Sequence, residues 1–185
     1  LQTYPALNVL ETTLRMDPGW PGHRPGQFAF AMSNPKEGPH PYTLASAWVP
    51  EDRRITFITK ALGDHTRRLP ERLQVGDRVT VEGPYGCFTF DDGRARQIWI
   101  GAGIGITPFI ARMKFLAQHE GQDARPIDLF HPTSDVDPKA IEKLRADSQA
   151  AGVALHLFID KKDGRLTGER LRAMGHFSKP ALTAT

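Results

Sequence analysis

Between Gln97 and Ala117 the sequence changes its period, and that change constrains the fold more than any other feature. Gln97–Ile100 is a short apolar run with no polar alternation, the pattern of a strand buried on both faces. The turn Gly101-Ala102-Gly103-Ile104-Gly105 follows, and then Phe109, Ile110, Met113, Leu116 and Ala117 recur at helical spacing. Residues 127–130 repeat the apolar strand. Asp137 predicts a cap on a helix with Pro138 in its first position, and Ile141 and Leu144 face inward. Gly152 ends that helix and 153–159 form a third strand. Strand, helix, strand, helix, strand makes a parallel, doubly wound sheet.

Upstream the period is two. Leu10, Thr12, Leu14 and Met16 alternate with Glu11, Thr13 and Arg15, and Phe28, Phe30 and Met32 with Ala29, Ala31 and Ser33. Further strands are predicted at 42–48, Arg54–Lys60 and 77–82. They are separated by turn clusters at Asp17-Pro18-Gly19, 34–39 and Gly76-Asp77. Short antiparallel strands of this kind close into a barrel. A short helix after Gly63 carries Leu69 and Leu73 four apart. The expected architecture is an antiparallel β-barrel over residues 1–93 and a parallel α/β domain over 94–185, meeting at Asp91-Asp92-Gly93.

Several functions are disfavoured. Lys and Arg number 24 against 21 Asp and Glu, a net charge of +3. The pairs Arg53-Arg54, Arg67-Arg68 and Lys161-Lys162 each lie near acidic residues, so no nucleic-acid footprint is expected. The single Cys87 excludes an intrachain disulfide and any all-cysteine zinc or iron–sulfur site built by this chain alone. It also favours a reducing, cytoplasmic compartment. The least charged stretch, 97–111, is shorter than the ~20 apolar residues of a membrane span, so this chain is not expected to enter a membrane. The seven His include no H-x-x-x-H pair and no His/Cys cluster. No metal site is expected, and His23, His119, His156 and His176 read as structural or solvated. No Gly-x-Ser-x-Gly elbow marks a hydrolase. Without an opening Met, the chain reads as a piece of a longer protein.

Three constellations carry chemistry. In His40-Pro41-Tyr42-Thr43 an aromatic ring beside a hydroxyl at a strand start can stack on a flat heterocycle and hydrogen-bond its edge. In Gly63-Asp64-His65-Thr66 a glycine turn and a Thr at a helix N-terminus offer N–H groups and a hydroxyl to a phosphate. In Gly101 to Pro108 small residues between strand and helix let a pyrophosphate approach the backbone. Ile106 stands where the third glycine of G-x-G-x-x-G would be.

In this order, with Arg24-Pro25-Gly26-Gln27-Phe28 before them and Gly83-Pro84-Tyr85-Gly86 between the second and third, these motifs resemble the ferredoxin–NADP reductase superfamily, and within it the ferric reductase and NADPH oxidase branch. The resemblance covers 8–172. It implies an FAD-binding barrel followed by a domain for NADPH or NADH. By position, it implies that Tyr42 packs on the isoalloxazine, Thr43 hydrogen-bonds near its N5 as the catalytic residue, and His40, followed by Pro41, sits near the phosphates or ribose. Ile58, Thr59 and Lys60 would line the flavin. Gly63 and Thr66, with Asp64 and His65, would hold the pyrophosphate. Gly101, Gly103, Gly105, Ile106, Thr107 and Pro108 would face the nicotinamide nucleotide, with Thr133 and Ser134 available to a phosphate.

The implied activity passes a hydride from NAD(P)H to FAD and single electrons on to membrane haem, ferric iron or oxygen. The implied partner is a haem-bearing membrane domain or an electron-acceptor protein upstream, and the implied location the cytosolic face of a membrane. Two alternatives stay open: a soluble reductase component for an oxygenase or ferredoxin, and a flavin- or nucleotide-binding regulatory module without turnover. The family's final Cys-Gly-Pro strand has no counterpart in 177–183, so the nicotinamide pocket is expected to be incomplete. Asp135, beside Thr133 and Ser134, would repel a 2′-phosphate, and the choice between NADH and NADPH stays open.

Overall fold

The computed structural model describes residues 1–119, 121 and 123–174. The 177–183 segment and His176 lie outside them.

The first half is built from β1 (Gln2–Tyr4), β2 (Val9–Arg15), β3 (Phe28–Met32), β4 (His40–Thr43), β5 (Arg54–Lys60), α1 (Asp64–Arg72) and β6 (Thr80–Tyr85). They form two antiparallel sheets, ordered β1-β2-β5 and β4-β3-β6. A single bridge, Leu44 to Phe57, joins the sheets, helped by the Ala45 N–H donating to the Thr56 carbonyl at 2.7 Å. β4 and β5 share no ladder beyond it. At β3 the alanine face turns inward: Ala29 and Ala31 sit in the core with Leu44, Ile55 and Phe57. Space decides this, because Gly83 of β6 lies so close that a Cβ there would stand 3.2 Å from the Ala29 Cβ. Phe28 and Phe30 face outward and pack on Tyr85, Phe30 edge-on and Phe28 tilted.

Two strands differ in extent from the sequence expectation. The ladder expected over 42–48 lies at His40–Thr43, and 45–47 are buried without strand pairing. The strand expected at 77–82 runs over Thr80–Tyr85, its register with β3 shifting between Phe28 and Phe30. The short β1 has no sequence signal of its own.

The second half holds β7 (Gln97–Ile100), β8 (Ile127–Thr133) and β9 (Ala154–Ile159), parallel and in that order. Burial alternates between two cores. Trp99 and Leu129 pack with Phe109 and Met113 of α2 (Thr107–Gln118) and Leu144 of α3 (Pro138–Ala150). Phe130 and Phe158 pack on the other face, with Leu171 of the short α5 (Gly168–Ala173), which follows α4 (Asp160–Asp163). Asp137 caps α3, accepting from the Lys139 and Ala140 N–H groups at 3.0 and 3.2 Å. Among the described residues no helix is long and apolar enough to cross a membrane.

The halves meet along β2, β5, α2 and α3. Lys143 of α3 donates to both Glu11 carboxylate oxygens of β2 at 2.6 and 2.7 Å, and the Tyr4 hydroxyl donates to Glu11 at 3.2 Å. Asp147, half-buried on α3, has its carboxyl pushed above the usual range by desolvation, against the pull of Lys114 and Lys143.

Candidate functional site

Where β4 and β5 part, α1 covers the opening. In antiparallel register Ala29 faces Tyr42 and Ala31 faces His40, while Phe28 faces Thr43 and Phe30 faces Pro41. Directly paired residues share a face. His40 and Tyr42 therefore point to the inner side and Thr43 and Pro41 to the outer aromatic face, so adjacent sequence positions serve two surfaces. On the inner side Tyr42 lies 5.7 Å from the Phe57 ring, centroid to centroid, and its hydroxyl shares a 2.8 Å hydrogen bond with His65 Nε2. Burial, with the Glu37 charge second, pushes the Tyr42 phenol up to about 12. His65 Nδ1 lies 2.6 Å from Glu37 Oε2, and Arg72 pairs with the other Glu37 oxygen. These two partners, His65 first, hold the Glu37 carboxyl below its ordinary range. The His40 and His65 rings stack 3.7 Å apart. The Nε2 of His40 is buried without a hydrogen-bond partner among the described residues.

The turn into α1 is shaped by Thr66. Its hydroxyl accepts from the Leu62 and Gly63 N–H groups, each at 3.1 Å, so it holds the turn. Asp64 stands in the first helical turn.

The residues of β5 divide. Thr59 is buried and donates to the Leu10 carbonyl at 3.2 Å. Ile58 and Lys60 face a cavity of about 120 Å³ at the seam, whose opposite wall includes Gly103, Ile104, Ile106, His131 and Thr133. The glycine turn is tightly packed at one end and open at the other. A Cβ on Gly101 would stand 2.8 Å from the Ile106 Cα, whereas Gly105 has no described heavy atom within 4 Å of such a Cβ. Thr107 is buried and donates to the Ile104 carbonyl at 2.7 Å, with Pro108 next in α2. Thr133 and Ser134 both turn their hydroxyls onto Asp135, at 2.9 and 3.3 Å, and Asp135 lies 3.5 Å from Lys60.

Three residues here escaped the sequence reading. His131 Nδ1 contacts the Gly101 carbonyl at 2.5 Å, and burial lowers its pKa. Glu37 and Arg72 complete the histidine cluster. None belongs to a motif, and only proximity in the fold reveals them.

Residues 1–89 match the FAD-binding domain family. The chain is 28% identical over 125 residues to the reductase component of propane 2-monooxygenase from Mycolicibacterium smegmatis, covering 64% of this chain and 35% of that protein. It is 36% identical over 80 residues to NADPH oxidase 1 of Mus musculus, covering 40% of this chain and 13% of the oxidase. The fold matches the flavohem-like FAD/NAD-binding domain of nitric oxide dioxygenase from Vibrio cholerae with a TM-score of 0.70 at 19% identity, over 87% of this chain and 74% of that one. These matches are consistent with the ferredoxin–NADP reductase superfamily. It spans about a third or less of the length of these two relatives.

FAD is the cofactor that the family match gives to residues 1–89, and the residues present fit one. The unpartnered, buried His40 nitrogen lacks a hydrogen-bond partner of the kind a phosphate or ribose oxygen provides. The N-terminus of the nine-residue α1, where the first N–H groups of a helix lack intrahelical partners, stands beside it through His65. Two anions are set against a phosphate there, Glu37 and Asp64; Arg72 pairs with the first, and Arg67 lies 4.0 Å from the second.

Proposed function

We propose that residues 1–93 hold FAD, that residues 94–185 receive NADH or NADPH, and that the chain delivers electrons from the nucleotide to a separate acceptor. The observation that carries this is the seam cavity, where Ile58 and Lys60 of β5 face the Gly103–Ile106 turn across one space. When bound, FAD supplies the redox chemistry, taking a two-electron hydride and releasing its electrons singly. The chain's own residues bind and orient. His40, Gly63, Asp64, His65 and the Thr66 turn hold the pyrophosphate. Tyr42 supplies a ring face from the inner side of β4, and Thr43, on the outer side at the end of β4, supplies a hydroxyl to the reacting edge of a flavin that lies across that strand end. Ile58 and Lys60 exclude water from the seam. Gly103 and Gly105 admit the nucleotide phosphates to the backbone before α2, while Gly101 and Thr107 hold that turn against the helix.

The acceptor in this reading is membrane haem, with ferric iron or oxygen beyond it, and the chain works at the cytosolic face of a membrane. The likeness to NADPH oxidase 1 supports it. A soluble reductase component is the second reading, supported by the propane 2-monooxygenase match, which covers more of this chain.

The test is anaerobic stopped-flow of the FAD-loaded chain mixed with NADH or NADPH. The expected result is flavin bleaching whose rate saturates with nucleotide. No bleaching by either nucleotide, with FAD shown to be bound, overturns the activity.

A further inference from the structure

We infer that Glu37, His40 and His65 form a binding site for a divalent transition metal of the Zn²⁺ type. One ligand atom from each lies within 4.8 Å of the others. Two imidazoles and one carboxylate are a donor set that holds zinc while leaving a fourth position open. For two of the three ligands the surroundings are built as metal sites are built, with the far side of the ligand engaged. His65 turns Nδ1 toward Glu37 at 2.6 Å, and its Nε2 lies 2.8 Å from the Tyr42 hydroxyl. With a metal on Nδ1, the Nε2–H donates to Tyr42, which sets the tautomer and the ring plane. Arg72 takes the second Glu37 oxygen, leaving the first for the ion. The third ligand, His40, keeps a buried Nε2 with no partner among the described residues.

Binding requires a local movement. The two imidazoles are stacked, 3.7 Å apart and 15° from parallel, so their lone pairs do not yet converge. Metal–ligand lengths of about 2.0–2.2 Å bring ligand atoms to roughly 3.3 Å from one another. Closing the difference requires His40 to rotate about its side-chain bonds out of the stack with His65. No partner on its Nε2 has to be broken for that turn.

The site does not depend on the flavin reading, but it shares His40 and His65 with the residues proposed to hold the FAD pyrophosphate. Metal and FAD are therefore expected to exclude one another.

The experiment titrates the tag-free, FAD-free chain with Co²⁺, followed by its visible bands, and with Zn²⁺, followed by calorimetry. One ion per chain and tetrahedral Co²⁺ bands are expected. Glu37→Gln keeps the shape and the hydrogen bonds to Arg72's neighbourhood but weakens the ligand, and should cost at least about tenfold in Zn²⁺ affinity. Circular dichroism of the variant checks its fold. His40→Gln, which leaves the Glu37–His65 pair in place, should weaken Zn²⁺ as well. Unchanged Zn²⁺ affinity in folded Glu37→Gln or His40→Gln, or no binding in the parent chain, overturns the site. FAD affinity is measured separately in chelator, so a failure to bind flavin and a failure to bind metal are told apart.

Discussion

Gly101 and Gly105 sit four residues apart in one turn, and alanine at each should separate packing from ligand binding. An ideal Cβ at Gly101 stands 2.8 Å from the Ile106 Cα, 3.0 Å from Phe109 Cδ2 and 3.2 Å from the Ile106 Cβ. Carbon atoms pack best at about 3.5–4.0 Å, so the methyl intrudes on backbone that cannot rotate away. Overpacking of that kind costs about 1–3 kcal/mol. For a chain of this size each kcal/mol lowers Tm by about 2–4 °C, giving a fall of about 2–12 °C for Gly101→Ala. Gly105 has open space around its Cβ and needs no left-handed backbone. Gly105→Ala should leave Tm unchanged or raise it, by about 0.4–1 kcal/mol of lost unfolded-state freedom. Its methyl, however, stands where the nucleotide phosphates are proposed to approach, so the apparent Kd for NAD(P)H should rise. Thermal unfolding of the ligand-free variants, followed by nucleotide titration, reads both effects. A Tm for Gly101→Ala equal to that of the parent would refute the packing argument. Unaltered nucleotide binding in Gly105→Ala would refute the assignment of the turn.

Thr43→Ala should keep fold and FAD affinity while slowing flavin reduction, read as a stopped-flow rate against an unchanged dissociation constant. Thr66→Ala removes the acceptor of two backbone N–H groups, worth about 1 kcal/mol at a helix start; it should weaken FAD about fivefold with a smaller effect on the reduction rate of bound flavin. His131 has a folded pKa below its ordinary 6.5, chiefly through burial, so the unfolded chain binds its proton first as pH falls. Its contribution is complete above about pH 6.5 and is lost as pH drops toward the folded value. Urea unfolding from pH 7.5 to 5 should therefore show falling stability, and His131→Gln should flatten that slope.

The parallel half was legible because its signals are local. Gln97–Ile100, the glycine turn and the Asp137-Pro138 cap each carry their geometry in a few neighbouring residues, and all three stand where expected. The barrel strands were legible in kind but less so in extent. Period-2 alternation cannot say where β4 stops pairing, because that depends on how far β5 runs beside it, a tertiary fact. Nor could it say which face of β3 turns inward; the choice follows from the close approach of Gly83 on a strand fifty residues away. The motif residues were found, but not how they share faces. His40 and Tyr42 look inward with His65, while Thr43 looks the other way. Glu37, Arg72 and His131 had no signal, since a lone charged or imidazole side chain takes its meaning only from what the fold sets beside it.

Fluorescence titration of FAD against the chain tests the central claim, that the opening between β4 and β5 under α1 holds this cofactor. A saturable quench with one FAD per chain is predicted, weakened in both His40→Ala and Thr66→Ala, with FMN binding less tightly because it lacks the pyrophosphate and adenosine. No saturable change with FAD in large excess, or equal affinity in the parent and both variants, would contradict it.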